Sequence, residues 1–441
     1  MNLRLKLFAL LMTFLLLAAA PLVSCGQMQN AKQDAVGFDR MRSGERTEKS
    51  EPVTIKWASF ALADEGAYPA YEAAAKGFME ANQTIKVELD GSHSYSAYLD
   101  NLLKNISSEA APTVAHIRAE WLPALLETGA VHTVAGMDER ILQAYTNAQL
   151  EAVSEGGVLY ALPWYYSTQM LFYNKTLLDQ AQVAPEEIQS FDDLLAAAKK
   201  VCALGDDIFG FALPSSGVMP GEGYHVLPVL WANGGDLLDA EGKIALDNTS
   251  GMQTYRQLQQ IFEENISPQG MTSKELRALF GEGKIGFLYD VQSGVADCAA
   301  TANTEEDFYR SLGYMEIPGG DGYIESHLLV VLNADNDAQL SAARLFLEYM
   351  SGDAAFYYLN AETPAYLPAR EDVRNRALHD SDALTRAFAD AADHAREIPY
   401  MRLDFVKADD DFSDGLLRVA GGEEVNTVLA DMKRRMQAYL R

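Results

Sequence analysis

The sequence predicts an α/β protein whose folded body divides into two lobes, and three observations carry that reading. From Val53 to Ile117, apolar periodicity switches between the two-residue repeat of a strand and the helical repeat, giving the order β-α-β-α-β. That order implies a parallel sheet flanked by helices. The chain has 441 residues, 48% hydrophobic and 22% charged, which is globular in composition and too long for one hydrophobic core. The formal net charge of −28, from 63 acidic and 35 basic residues, argues against nucleic-acid binding, because phosphate neutralisation needs clustered Lys and Arg. Three cysteines exclude a disulfide-dense scaffold.

Taken from the start, Arg4 and Lys6 precede an apolar run from Leu7 to Ala20, interrupted only by Thr13. That length suits the h-region of a signal peptide and falls short of the ~20 residues a membrane span needs. After Pro21 comes Leu22-Val23-Ser24-Cys25, which resembles the lipobox of bacterial lipoproteins, where cleavage precedes a cysteine that is then lipidated. Residues 1–24 are therefore expected to be a lipoprotein signal peptide and Cys25 the lipid anchor. A plain signal peptide with an incidental cysteine is the alternative. Residues 25–52 are polar and small, without apolar periodicity, so they are expected to form a flexible tether. The body would then sit at the outer face of the cytoplasmic membrane, or on the periplasmic side in a two-membrane cell.

Within the body, Val53, Ile55 and Trp57 read as a strand, followed by a helix carrying Tyr71, Ala74, Ala75, Phe78 and Met79. Ile85, Val87 and Leu89 alternate again; Tyr98, Leu102, Leu103 and Ile106 recur as a helix; Pro112 to Ile117 reads as a short strand. Ser190 with Asp193 reads as a capping box before Leu194, Leu195 and Ala198. Helices are further expected around Met252–Phe262 and Leu340–Met350, and at the C-terminus from Val425 to Leu440, where Lys433, Arg434 and Arg435 suit a last turn.

No catalytic signature survives its context. There is no His-Glu-x-x-His pair, no Gly-x-Ser-x-Gly elbow and no phosphate loop ending in Gly-Lys-Ser/Thr. Gly281-Glu282-Gly283-Lys284-Ile285-Gly286 matches the dinucleotide fingerprint in letters, but a helix precedes it and a strand follows, the reverse of what the mechanism needs. The seven histidines, His93, His116, His132, His225, His327, His379 and His394, show no metal-ligand spacing and read as ordinary surface or core residues. Cys202 and Cys298 read as buried free thiols, able to pair only within about 7 Å of each other. No catalytic residue, metal or cofactor is expected.

From Leu159 to Leu178 the chain runs Leu-Tyr-Ala-Leu-Pro-Trp-Tyr-Tyr-Ser-Thr-Gln-Met-Leu-Phe-Tyr-Asn-Lys-Thr-Leu-Leu, and continues to Ser190-Phe191-Asp192-Asp193-Leu194-Leu195. This stretch resembles the family-1 extracellular solute-binding proteins of ABC importers, the maltose-binding relatives, with their Tyr-x-x-Pro crossing segment and Tyr-Asn-Lys triplet. Trp231-Ala232-Asn233-Gly234-Gly235-Asp236, Phe280 with Gly283–Phe287, Ile317-Pro318-Gly319-Gly320, Ala342–Leu347 and Leu367-Pro368-Ala369-Arg370 resemble later family segments in the same order. The resemblance spans residues 53–440. It implies a periplasmic-binding-protein-like fold: hinge-linked lobes, with ligand in the cleft between them. By analogy the chain crosses near Leu162–Leu171, returns near Tyr289–Gln292 and crosses again near Ser351–Tyr358. Lobe 1 is then expected to combine 53–161 with 290–350, and lobe 2 to combine 162–289 with 351–441. The implied role is capture of a small-molecule solute, a carbohydrate, by a monomer that docks on membrane permease subunits.

A sugar offers apolar C–H faces to rings and hydroxyl edges to carboxylates, amides and Arg. Each of the four tryptophans, Trp57, Trp121, Trp164 and Trp231, sits beside a segment where the family lines its cleft. The candidate ligand-binding residues are Ser59, Phe60 and Asp64 after the first strand; Glu120 and Trp121 after the third; and Trp164, Tyr166 and Ser167 on the crossing. With them go Tyr224, Trp231, Tyr289, Asp290, Glu325, Tyr400 and Arg402, with Asn233 and Phe405 alongside. Core packing is the competing account of each ring, and surface solvation that of each carboxylate. Many relatives carry Gly-x-Trp where this chain has Tyr289-Asp290-Val291-Gln292-Ser293, so the tryptophan ring those relatives carry there is missing. Two other readings stand beside the sugar. The same fold would bind a polyamine, cationic peptide or other non-sugar, with Asp64, Glu120, Asp290 and Glu325 boxing an amine, or two carboxylates about 5–9 Å apart would make a surface glycoside hydrolase. A sensor partner for a membrane kinase, rather than for an importer, is a further reading.

Overall fold

The computed structural model describes residues 53–108, 110–360, 366–379 and 381–441. The expected signal peptide, the tether and Cys25 lie outside the described residues.

The first strand, β1 (Val53–Ala58), forms because its alternation sends Ile55 and Trp57 inward, both 0% exposed. It pairs in parallel with β2 (Ile85–Asp90) and β3 (Val114–Arg118), with helices Tyr68–Ala81 and Tyr95–Asn105 as the connections. The expected β-α-β-α-β order therefore holds. A short hairpin, β4 (Ser154–Glu155) with β5 (Val158–Leu159), leads into β6 (Ala161–Thr168), which runs through Gln169 into β7 (Met170–Asn174). Strands β8 (Phe209–Ala212), β9 (Ile285–Asp290), β10 (Leu312–Met315), β11 (Ile324–Val331) and β12 (Leu367–Pro368) complete the set among the described residues.

The strands make a six-stranded sheet, β12-β6-β11-β3-β1-β2, and a four-stranded sheet, β10-β7-β9-β8. Each carries its own helices, so the body consists of two α/β lobes. The chain passes between them at Gln169, because β6 is bonded to β11 in the first sheet and β7 to β9 in the second. The expected boundaries follow the sheets only in part. Residues 162–168 belong with the first sheet, and β10 pairs with β7, so the return falls between Met315 and Ile324 rather than near Tyr289–Gln292. The third passage moves too. Helix Asp353–Leu359 stays against Tyr68–Ala81, where a Cβ at Gly77 would stand 3.0 Å from Tyr358, and β12 pairs with β6. Motif order gives the sequence of elements, whereas sheet membership is set by backbone hydrogen bonding to partners far along the chain.

Local signals behave as read. Ser190 Oγ accepts from the backbone N–H of Asp193 and starts helix Phe191–Cys202. The reciprocal carboxylate of Asp193 bonds Gln189 N rather than Ser190 N. The Gly281–Gly286 segment is a helix end followed by β9, with Gly283 at φ 76° making the turn. Cys202 and Cys298 are both free thiols, the first half-buried and the second buried. No helix among the described residues is long and apolar enough to cross a membrane.

Candidate functional site

A cavity of about 140 Å³ lies between the two lobes. From the first lobe come Tyr95, at the start of its helix, and Glu120 and Trp121 on the turn that follows β3. From the second come the Gly217–Gly221 loop and Tyr224, with Val406, Asp409, Asp410 and Ser413 of helix Phe405–Ala420. The position follows from topology: β1 and β3 run parallel, and their carboxyl ends are where an open α/β sheet leaves backbone and side chains free for ligand. A second cavity, of about 170 Å³, is larger and is lined by Tyr165, Tyr166, Arg374 and Tyr400 among others. It lies over β6 and the first half of β11 and takes no residue from β1, β3 or the turns that follow them, so the smaller cavity is the better candidate.

Arg118 organises this cleft. It ends β3, is 5% exposed, and has its Nε 2.5 Å from Glu120 Oε1 and its Nη1 3.4 Å from Glu325 Oε1. Its Nη1 donates to the Tyr95 hydroxyl at 2.5 Å and its Nη2 to the Tyr323 hydroxyl at 2.9 Å. The guanidinium also lies 5.8 Å from the Tyr95 ring centroid and 5.9 Å from that of Tyr224. A buried cation persists only when paired in this way. Burial pushes the Glu120 carboxyl up against the pull of Arg118, and its Oε2 is buried with no hydrogen-bond partner. Burial also acts on Glu325, but Arg118 and the His327 hydrogen bond carry it down to about 2.

On the opposite wall, Asp409 accepts from Gly221 N at 2.5 Å and Gly223 N at 2.9 Å, holding the loop to the helix. Burial pushes its carboxyl up to about 7 despite those two donors. The Tyr224 hydroxyl donates to Phe405 O at 2.8 Å and so fixes the ring that faces Arg118. Behind the cleft, Ser59 Oγ is 2.8 Å from His116 Nδ1, and His116 Nε2 is 2.8 Å from His327 Nδ1. The histidines read in the sequence as ordinary surface or core residues thus include a buried, bonded pair.

Among the predicted site residues, Glu120, Trp121 and Tyr224 line the cleft cavity. Phe60 backs it, its ring centroid 5.2 Å from Tyr95 and 5.8 Å from Trp121, and Glu325 joins it through Arg118. Ser59 is wholly buried, and Ser167, opposite Glu325 in the sheet, is buried with an unpartnered hydroxyl. Tyr166 and Tyr400 go to the larger cavity, bonded to Arg374 and to Ala152 O.

Other expected ligand contacts lie elsewhere. Trp164 packs edge-on against Trp57 and donates its indole N–H to Met350 O. Trp231 is buried in the second lobe under Arg396, and Tyr289 is 0% exposed, edge-on to Phe211. These rings fill cores, where their area contributes most. Asn233 is bonded to Thr254 and Gln257, a helix-joining role. Arg402 is exposed against Gly242, away from both cavities. The acidic box does not assemble: Asp290 takes two bonds from Arg277, Glu120 and Glu325 share Arg118, and exposed Asp64 caps its own turn. The sequence reading missed Arg118, Tyr95, Tyr323 and Asp409 as site residues. The available signal was an arginine at the carboxyl end of the third strand, Val114–Arg118.

Two α/β lobes joined by strands that run from one sheet into the other, with a ring- and carboxylate-lined cavity between them, define a two-lobed ligand-binding protein. The chain belongs to the bacterial extracellular solute-binding protein family, whose model matches residues 63–355. It is 23% identical over 224 residues to a binding protein of Brucella abortus, covering 50% of this chain and 54% of that one. It thus spans about half the length of the curated relatives it first matches. It is also 23% identical over 175 residues to the arabinooligosaccharide-binding protein of Bacillus subtilis, covering 39% of each. The fold is that of the GacH receptor of Streptomyces glaucescens, solved unliganded and with acarbose: TM-score 0.76 at 20% identity, covering 88% of this chain and 99% of that one.

Proposed function

We propose that this chain is the substrate-binding lipoprotein of an ABC importer, anchored through Cys25, that captures a carbohydrate and delivers it to a membrane permease. An oligosaccharide is the favoured ligand. The observation that carries the reading is the cavity wall, where the rings of Tyr95, Trp121 and Tyr224 stand beside the unpartnered Glu120 oxygen and the carboxylates of Asp409 and Asp410. Rings match the C–H faces of a sugar and carboxylates its hydroxyl edge. The lobes close by a hinge, because a ligand that touches both walls binds the closed state more tightly than the open one. The protein returns its ligand unchanged, with no chemistry of its own. The name of the Bacillus relative and the acarbose bound to the Streptomyces receptor support a saccharide.

A thermal-shift panel on the purified chain tests this, with oligosaccharides, monosaccharides, spermidine and phosphorylated compounds. A ligand at 100 times its Kd adds about 2.7 kcal/mol. A shift with an oligosaccharide is expected; a shift with spermidine alone overturns the sugar, and ligand consumed on prolonged incubation overturns the non-enzymatic reading. Metabolic fatty-acid labelling, lost in Cys25→Ser, tests the anchor.

A further inference from the structure

Four residues, from two strands and the turn after a third, form one continuous hydrogen-bonded chain behind the cleft. Ser59 follows β1, His116 lies on β3, and His327 and Glu325 lie on β11. The contacts are 2.8 Å from Ser59 Oγ to His116 Nδ1, 2.8 Å from His116 Nε2 to His327 Nδ1, and 3.1 Å from His327 Nε2 to Glu325 Oε1. A carboxylate only accepts, so His327 Nε2 carries its proton and His327 Nδ1 is a bare acceptor. His116 must then donate from Nε2, leaving its Nδ1 to accept from the Ser59 hydroxyl. Ser59 Oγ is meanwhile free to accept from Ala61 N at 3.2 Å, which it does. One ionised end thus dictates the direction of every proton to the other end.

The surroundings favour two neutral rings. His116, His327 and Ser59 are buried, and burial lowers the proton affinity of both imidazoles. The titratable groups facing the pair are Tyr165, whose hydroxyl is 3.2 Å from His116 Nε2, Tyr71 beyond it, Tyr366 beside His327, Glu325 and Arg118. Arg118 opposes a further positive charge, and Glu325 is already paired with it. The far end is tied to the cleft as well. Ser59 caps the turn bearing Phe60, whose ring centroid lies 4.4 Å from that of His116 and which backs Tyr95 and Trp121.

We infer that His116 and His327 are positioning residues of the cleft. They hold Glu325 as an acceptor-only group against Arg118, which in turn orients Glu120 and Tyr95 of the cavity wall, and thereby fix the donor–acceptor pattern that ligand hydroxyls must match. The inference rests on the saccharide reading above for its consequence, but not for its geometry. Histidine-selective 15N NMR of the full chain in detergent tests the geometry without any ligand. Both rings are expected as neutral Nε2–H tautomers between about pH 6 and 8. An Nδ1–H tautomer at His327, or an imidazolium at either position, overturns the chain.

Affinity for whichever saccharide shifts the melting of the wild type tests the consequence. His327→Phe, which removes the donor to Glu325, is expected to weaken binding about tenfold. His327→Gln, whose amide still reaches the carboxylate, restores part of that loss, as a merely space-filling role would not. Equal affinities in both variants overturn the positioning role. Should His327→Phe fail to fold, Ser59→Ala at the buried end serves instead, with a moved His116 Nδ1 resonance and weakened binding expected and unchanged values of both overturning it. If no saccharide binds, the function fails while the tautomer result still decides the chain.

Discussion

Gly221 stands against Arg118 across the cleft: a Cβ at 221 would lie 3.3 Å from Arg118 Nη1 and 3.6 Å from the Tyr95 hydroxyl. Its φ of 86° is also one that side chains avoid. The approach of the two lobes therefore depends on a missing side chain. Gly221→Ala is expected to cost about 1 kcal/mol of stability and to hold the lobes apart. Small-angle scattering of the variant should show a larger radius of gyration than wild type with saccharide present; identical curves and affinities would sink the prediction.

Arg118 is the common counter-charge of Glu120 and Glu325. Arg118→Ala leaves two carboxylates in a buried site without their cation, a loss of about 3–5 kcal/mol. The deficit should shrink as pH falls and the carboxylates take up protons. Urea melts of wild type and variant at neutral and acid pH read this directly, and a deficit independent of pH contradicts the pairing.

The Asp409 carboxyl is held up at about 7 by burial, whereas in the unfolded chain it titrates near 4. Between those values the folded protein carries a proton that the unfolded chain lacks. Stability from this group is therefore fully present at low pH and is lost as pH rises through 7, on the order of 1.4 kcal/mol per pH unit. His116 and His327 act in the opposite direction, since their lowered affinity means that acid below about 6.5 favours the unfolded chain. The profile of Asp409→Asn minus wild type isolates the aspartate. The difference should rise in the variant's favour between about pH 4 and 7, and a flat difference refutes it.

The tryptophans should separate by role. Trp57→Ala empties a site that is 0% exposed between Tyr71, Trp164 and Phe346, and is expected to cost about 3–5 kcal/mol. Trp121 instead lines the cleft, so Trp121→Phe is expected to keep most of the stability while weakening saccharide binding severalfold. Melting temperature and affinity measured on both variants check the split; loss of affinity in folded Trp57→Ala but not in Trp121→Phe reverses it.

The sequence by itself determined the elements and much of their order. Ile55 and Trp57 alternate, Tyr71 to Phe78 recur at helical spacing, and Ser190 caps a helix, because each of these signals is settled within a few residues of chain. It also determined that Gly281–Gly286 is a turn, from the order of helix and strand around it. The cleft was half legible: Glu120, Trp121 and Tyr224 follow from their places at element ends. The tertiary structure decided the rest. Trp164, Trp231 and Tyr289 went to cores because a ring gains from burial against protein as readily as against a sugar, and only the packing shows which partner it meets. His116 and His327, 211 positions apart, became neighbours through the pairing of β3 with β11. A strand's partners are set by folding at long range, and no local pattern encodes them.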